Sequence, residues 1–232
     1  MESFFESPLK GDYKVDLKKT RLGYYEFGSE NGKGYSQKNH MEFYQYTVGH
    51  ALPSLMGYKT EELFNQLIEL GREILGWLDQ TLPEEIRREL PCQARNMMPE
   101  AWPNMMRIIH YPPLERVEKH ARVLNSEHED LNLITLLCGS TAPGLEVKDL
   151  EGNWHRVGYD PESVIVNVAD CLEFVTQGYL KSTPHRVVCP EGFQGHRYSI
   201  PCFIGAKEDL PVAENLTAGQ FLLQRLQEIG IL

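Results

Sequence analysis

From Met106 onward the sequence is a succession of short β-type runs broken by turn residues, and no other feature limits the possible folds as strongly. Met106-Arg107-Ile108-Ile109-His110-Tyr111 stops at Pro112-Pro113. Leu145–Lys148 and Trp154–Val157 flank Asp149–Asn153, which reads as a hairpin with Gly152 in the turn. Val164–Val168 is a mostly apolar run suited to an interior strand, and Arg186–Val188 and Tyr198–Phe203 follow. Short strands at this spacing bury their apolar faces only by packing on one another, as a sandwich, barrel or jelly roll.

The flanks read differently. The first forty residues are polar and glycine-rich, with Gly28–Gly34 as a loop, and are expected to hold little regular structure. From about Asn39 to Leu90 the period becomes helical, with Leu63, Leu67, Leu70, Ile74 and Leu78 on one face. Thr60 is the expected N-cap, with Glu61 and Glu62 at the positive end of the helix dipole. A second short helix is expected to start at Pro83 and stop before Pro91. Thr217-Ala218-Gly219-Gln220 is a capping box followed by Phe221, Leu222, Leu223, Leu226 and Ile229, which predicts a closing helix. The expectation is a mainly β fold with flanking helices, in one structural domain of 232 residues.

Charge and cysteine content narrow the partners. With 33 acidic against 23 basic side chains the formal charge is -10, and no basic cluster offsets it, so neither nucleic acid nor an anionic membrane is an expected partner. The longest stretch without a charged residue, Phe43 to Tyr58, contains Gly49, His50 and Pro53 and falls short of the roughly 20 apolar residues of a bilayer span. The acidic start, Met1-Glu2-Ser3-Phe4-Phe5-Glu6, lacks the features of an export signal, and the five cysteines form no CxxC pair. A cytoplasmic location with reduced thiols is expected.

The chemistry-bearing residues lie in the β-rich half. His128-Glu129-Asp130 precedes the apolar run Leu131–Leu137, and His185 follows after a long gap. Two imidazoles and a carboxylate that leave open positions form the facial triad of non-haem Fe(II) sites. A spacing of two in extended chain puts His128 and Asp130 on one side. Arg197-Tyr198-Ser199 has the same alternation, so guanidinium and hydroxyl point together. A guanidinium fork matches a carboxylate, which implies an anion pocket near the metal. His-x-Asp alone is ordinary surface decoration; its weight comes from the ordered residues that follow it.

The joint pattern is His128-x-Asp130, Gly144-Leu145-Glu146-Val147, Gly152-x-Trp154, Val166-Asn167-Val168-Ala169-Asp170, Lys181–Val187 and Arg197-x-Ser199-Ile200. It resembles the isopenicillin N synthase-like branch of the Fe(II)/2-oxoglutarate-dependent dioxygenases, closely over residues 105–212. Over residues 20–100 the likeness is loose, through Gly23-Tyr24 and the helix beyond. The resemblance implies a double-stranded β-helix (jelly-roll, cupin-like) core at 101–212, a shortened helical N-terminal region at 1–100 and a C-terminal helix at 213–232. It implies that His128, Asp130 and His185 bind iron and that Arg197 and Ser199 hold the distal carboxylate of 2-oxoglutarate, with Tyr111 touching the same co-substrate. Ile109 stands where many relatives have Asn, Ala169 replaces Gly, and Glu129 replaces Thr, none of which removes a ligand.

The activity implied is oxidation of a C–H bond of a small organic molecule, hydroxylation foremost, using Fe(II), 2-oxoglutarate and dioxygen and releasing succinate and CO2. Two alternatives stay open: an iron oxidase of the same branch that uses no 2-oxoglutarate, and a non-catalytic jelly-roll binding protein. A monomer is the default. His40, His50, His110, His120, His155 and His196 are expected to be surface or packing residues, as are Trp102 and Trp154, with Cys138 and Cys171 as small core residues. Because the chain begins inside the region where relatives have an extra strand and helix, a more open pocket and larger substrates are expected.

Overall fold

The computed structural model describes residues 2–31, 38–114 and 123–230. The strands there are β1 (Gly23–Tyr25), β2 (Glu42–Tyr46), β3 (Met105–Tyr111), β4 (Val123–His128), β5 (Ile134–Cys138), β6 (Leu145–Lys148), β7 (Trp154–Arg156), β8 (Val164–Val168), β9 (His185–Val188), β10 (Arg197–Ile204), β11 (Pro211–Ala213) and β12 (Leu216–Thr217). The helices are α1 (Glu2–Glu6), α2 (Tyr58–Thr81), α3 (Glu84–Glu89), α4 (Ala94–Met97), α5 (Asp170–Val175) and α6 (Ala218–Glu228). A major sheet runs in the order β1-β2-β3-β10-β5-β8, a minor sheet in the order β4-β9-β6-β7, and β11 pairs with β12. From β3 to β10 the antiparallel strands alternate between the two sheets except at the β6–β7 hairpin, which stays in the minor sheet, and this is the expected jelly roll.

Period-two alternation gives the major sheet two working faces. Outward, Met106, Ile108, Ile134, Leu136, Cys202 and Ile204 join one core with Phe64, Leu67, Ile68 and Leu75 of α2. Each such side chain contributes about 1.5–3 kcal/mol on burial. The helix comes so near at Gly71 that a Cβ there would stand 2.9 Å from Ile204 Cγ1. Inward, Phe43, Ile109 and Tyr111 meet Leu124, Val187 and Cys189 of the minor sheet and the loop after it. The functional side chains lie on these facing surfaces.

Several expectations need correction. The buried stripe of α2 is Phe64, Leu67, Ile68 and Leu75, while Leu63, Leu70, Ile74 and Leu78 are partly buried at its border. Gly57, not Thr60, is the N-cap; Thr60 sits in the first turn and its hydroxyl donates back to Met56 O at 2.8 Å. The Asn39–Leu90 region is not all helical, because Glu42–Tyr46 is buried on both faces as β2 and shows no polar–apolar alternation. The first forty residues hold α1 and β1, anchored by Phe4, which meets the rings of Phe5, Tyr13, Tyr24 and Tyr44 edge-on. Val164–Val168 forms an edge strand, not an interior one, and leaves Val166 46% exposed.

Other features agree. Pro83 caps α3, the capping box of Thr217 and Gln220 opens α6, and the β6–β7 turn has Gly152 at φ +89°. Trp154 packs under the Arg186 guanidinium at 4.0 Å, and Trp102 donates to Glu208. Cys171 is buried and Cys138 partly so. His120 and part of the Gly28–Gly34 loop lie outside the described residues. Among the described residues no helix is long and apolar enough to cross a membrane.

Candidate metal centre and co-substrate pocket

His128 ends β4 and His185 begins β9, and the two are direct partners across the minor sheet. Asp130 follows two residues beyond His128. The potential ligand atoms of His128, Asp130 and His185 all lie within 4.8 Å of one another. The imidazole centroids are 4.2 Å apart, and His185 Nε2 is 3.9 Å from Asp130 Oδ2. Asn167 on β8 donates to Asp130 Oδ2 at 3.2 Å, and the Asp170 amide donates to Asp130 O at 2.9 Å. The carboxylate is therefore aimed by two further elements.

Backbone carbonyls settle which imidazole nitrogen is available. His128 Nδ1 lies 2.7 Å from Ser126 O, and His185 Nδ1 lies 3.0 Å from Thr183 O. A carbonyl only accepts, so each Nδ1 carries a hydrogen and Nε2 is the nitrogen left to bind a metal. This carbonyl backing is the usual outer support of metal-bound histidine. Burial, followed by the nearby His185, pushes His128 down to about 4, so it is neutral near pH 7. Burial alone would raise Asp130; His185, His128 and hydrogen bonds from Thr135 and Asn167 outweigh it and hold the carboxyl below its usual range. Two imidazole nitrogens and one carboxylate, supported from behind, fit a divalent first-row metal such as Fe(II).

The second group of candidate residues is on β10 and β3. Arg197 pairs with Tyr111 across the sheet, and Ser199 pairs with Ile109. Arg197 is only 1% exposed, its Nε donates to Ala142 O at 3.1 Å and Pro143 O at 3.3 Å, and its Nη1 is buried without a hydrogen-bond partner among the described residues. Its guanidinium lies 5.0 Å from the centre of the Tyr111 ring. Burial raises the Tyr111 hydroxyl, against the opposing pull of Arg197 and a hydrogen bond with Ser199. Gly144, at φ +135°, cannot carry a side chain: a Cβ would fall 2.4 Å from Val188 O and 3.7 Å from Arg197 Nε. A buried cation with an unmet donor is the natural seat of an anion, because an unpaired buried donor is costly.

The structure thus groups His128, Asp130 and His185, and separately groups Arg197, Ser199 and Tyr111. The other described histidines have different roles. His110 lies between Glu42 Oε1 and His196 Nδ1, each at 2.8 Å. His155 contacts Asp149, and His40 Nε2 is 3.1 Å from Pro112 O. Asn167 stands in the joint sequence pattern with no role assigned to it, although a lone polar residue in a mostly apolar strand is a usable signal. Arg107 was missed; it stacks 4.0 Å over Phe43 and is held by Glu30 and Gln45.

Comparison with known proteins agrees with this geometry. Residues 102–206 match the 2OG-Fe(II) oxygenase superfamily. The crystal structure of a candidate oxygenase from Shewanella oneidensis superposes with a TM-score of 0.87 at 30% identity, covering 100% of this chain and 83% of that one. Clavatol oxidase of Penicillium crustosum is 34% identical over 166 residues, 69% of this chain and 46% of that protein. Gibberellin 2-beta-dioxygenase 2 of Arabidopsis thaliana is 31% identical over 137 residues, 59% of this chain and 39% of that protein. The chain belongs to the 2OG-Fe(II) oxygenase superfamily, and the isopenicillin N synthase-like branch is consistent with this membership. The aligned regions span less than half the length of the two curated relatives.

Proposed function

We propose that this protein is an Fe(II)- and 2-oxoglutarate-dependent oxygenase that oxidises a C–H bond of a small organic substrate, with hydroxylation as the outcome and succinate and CO2 as co-products. The observation that carries the reading is the buried, partly unpartnered Arg197 in the same jelly roll as a carbonyl-backed His128–Asp130–His185 cluster. In this reading the two Nε2 atoms and the Asp130 carboxylate hold Fe(II). Arg197 and Ser199 hold the distal carboxylate of 2-oxoglutarate, and the Tyr111 hydroxyl gives that end a third contact. When bound, the iron supplies the oxidising chemistry with dioxygen. The chain supplies charge and position: one carboxylate against a dication leaves a net positive centre that attracts a 2-oxo acid dianion.

Residues 101–212 carry the reacting groups, and 1–100 and 213–232 pack around them as its flanks. The same reading makes the protein a cytoplasmic monomer acting on a free small molecule, which the formal charge of -10 supports by disfavouring nucleic acid and anionic membranes. Anaerobic addition of Fe(II) and 2-oxoglutarate should develop the weak visible charge-transfer band of the chelate, and labelled 2-oxoglutarate should yield succinate under air. Folded protein that binds iron yet gives neither signal would overturn the use of 2-oxoglutarate.

A further inference from the structure

The minor sheet supports His128 from one side only. Among the named strands of the described residues β4 is an edge strand that pairs with β9 alone, and that ladder is interrupted between Val123 and Asn125 and again between Asn125 and His128. A bulged edge strand is a poor platform for a metal ligand, because its outward amides lack ladder partners and its peptide planes can rotate. Ser126 is the critical residue: its carbonyl takes the His128 Nδ1 hydrogen, and it is only 8% exposed.

The open edge is closed by a segment 87 positions earlier in the chain. Asn39 Oδ1 accepts from the Ser126 amide at 3.0 Å and from the Ser126 hydroxyl at 2.9 Å. The next residue, His40, donates its amide to Leu124 O at 2.7 Å, so residues 39 and 40 lie along β4 where a neighbouring strand would be. Asn39 is 6% exposed and its own amide donates to Glu30 O at 3.0 Å. Two bonds to one carboxamide oxygen fix the Ser126 residue in both backbone and side chain.

We propose that Asn39 is a positioning residue for the metal centre: by clamping Ser126 it fixes the carbonyl that selects the His128 tautomer and aims Nε2. This rests on the reading of the triad as an iron site. Asn39 itself touches neither metal nor co-substrate. Loss of the clamp frees the Ser126 peptide, lets the imidazole take either tautomer, and weakens metal binding without removing a ligand.

The test is titration of the metal-free full-length chain with Co(II), read by its visible absorption, alongside imidazole ¹⁵N spectra of the metal-free protein. Asn39→Ala should bind Co(II) about 10- to 100-fold more weakly, the usual effect of losing an outer-shell partner, and show mixed His128 tautomers. Asn39→Asp keeps an acceptor at the same place and should restore affinity to within about threefold, with the single Nδ1–H tautomer. If Asn39→Ala fails to fold, Ser126→Ala, which deletes one of the two bonds, carries the comparison, with about threefold weaker binding expected. An alanine variant that folds, binds Co(II) as the wild type does and keeps one tautomer overturns the proposal. If wild-type uptake is absent, or is not abolished by His185→Ala, the iron reading itself fails; uptake that is normal in both wild type and Asn39→Ala sinks the clamp alone.

Discussion

Arg197 is a charged side chain 1% exposed whose Nη1 has no hydrogen-bond partner among the described residues, and burying such a group costs several kcal/mol. That cost stands until an anion arrives, so the residue should oppose stability in the free protein and reward ligand binding. Arg197→Met is expected to melt no lower than the wild type without 2-oxoglutarate. It should also lose the stabilisation, about 2.7 kcal/mol at a hundredfold excess over Kd, that 2-oxoglutarate confers on the wild type. Thermal melts with and without 2-oxoglutarate check both parts. Arg197→Lys keeps the charge and loses the fork, so KM for 2-oxoglutarate should rise at least about tenfold while anaerobic Fe(II) affinity is unchanged. Period-two spacing states that His128 and Asp130, and likewise Arg197 and Ser199, point together, while their proposed iron and co-substrate roles come from the resemblance of the whole ordered pattern. Asn39 was not legible in the sequence, since a side chain bonding a backbone 87 positions away leaves no periodic trace.

At the level of elements, the contact between α2 and β10 is set by Gly71. A Cβ there would press on Ile204 Cγ1 at 2.9 Å in a fully buried site, so Gly71→Ala should destabilise by about 1–3 kcal/mol. Adding Ile204→Val deletes Cδ1, which would stand 3.0 Å from the same Cβ, and should recover part of that loss; denaturant melts of the two single variants and the double variant measure the coupling. Strand β2 carries a different dependence. Glu42 is 4% exposed and contacts His110, Lys10 and Tyr24. Burial would raise its carboxyl, but those three partners prevail and hold it below the ordinary 4.5. A carboxyl lowered in the folded state stabilises fully above its unfolded value and loses that contribution as pH falls through the folded value. The wild type should therefore lose urea stability between pH 6 and acid pH more steeply than Glu42→Gln, a comparison that equilibrium unfolding at a series of pH values settles. Strands β1 and β2 escaped the sequence reading because β1 is three residues long and β2 is buried on both faces, so neither shows the half-polar rhythm that marks a strand. The short strands of the jelly roll, separated by turns, were readable one by one.

For the whole molecule, the formal charge of -10 surrounds the site proposed to take the 2-oxoglutarate dianion. The shell's repulsion acts at long range and is screened as the Debye length shortens from about 30 Å at 0.01 M salt to about 8 Å at 0.15 M, whereas the contact with buried Arg197 is screened far less. KM for 2-oxoglutarate should accordingly fall as ionic strength rises over this range, and a rise would show that local attraction dominates the approach as well. The order of the major sheet has a consequence in time. Its middle strand, Arg197–Ile204, joins β3 to β5 but follows both in the chain, and β3 and β5 have no direct partnership in the sheet. During synthesis from the amino end, two half-sheets must wait with facing edges open until that last wedge is made, and only then does the anion seat exist at all. The exposure of those open edges, an aggregation hazard, and the completion of the proposed co-substrate site are separated by a single strand.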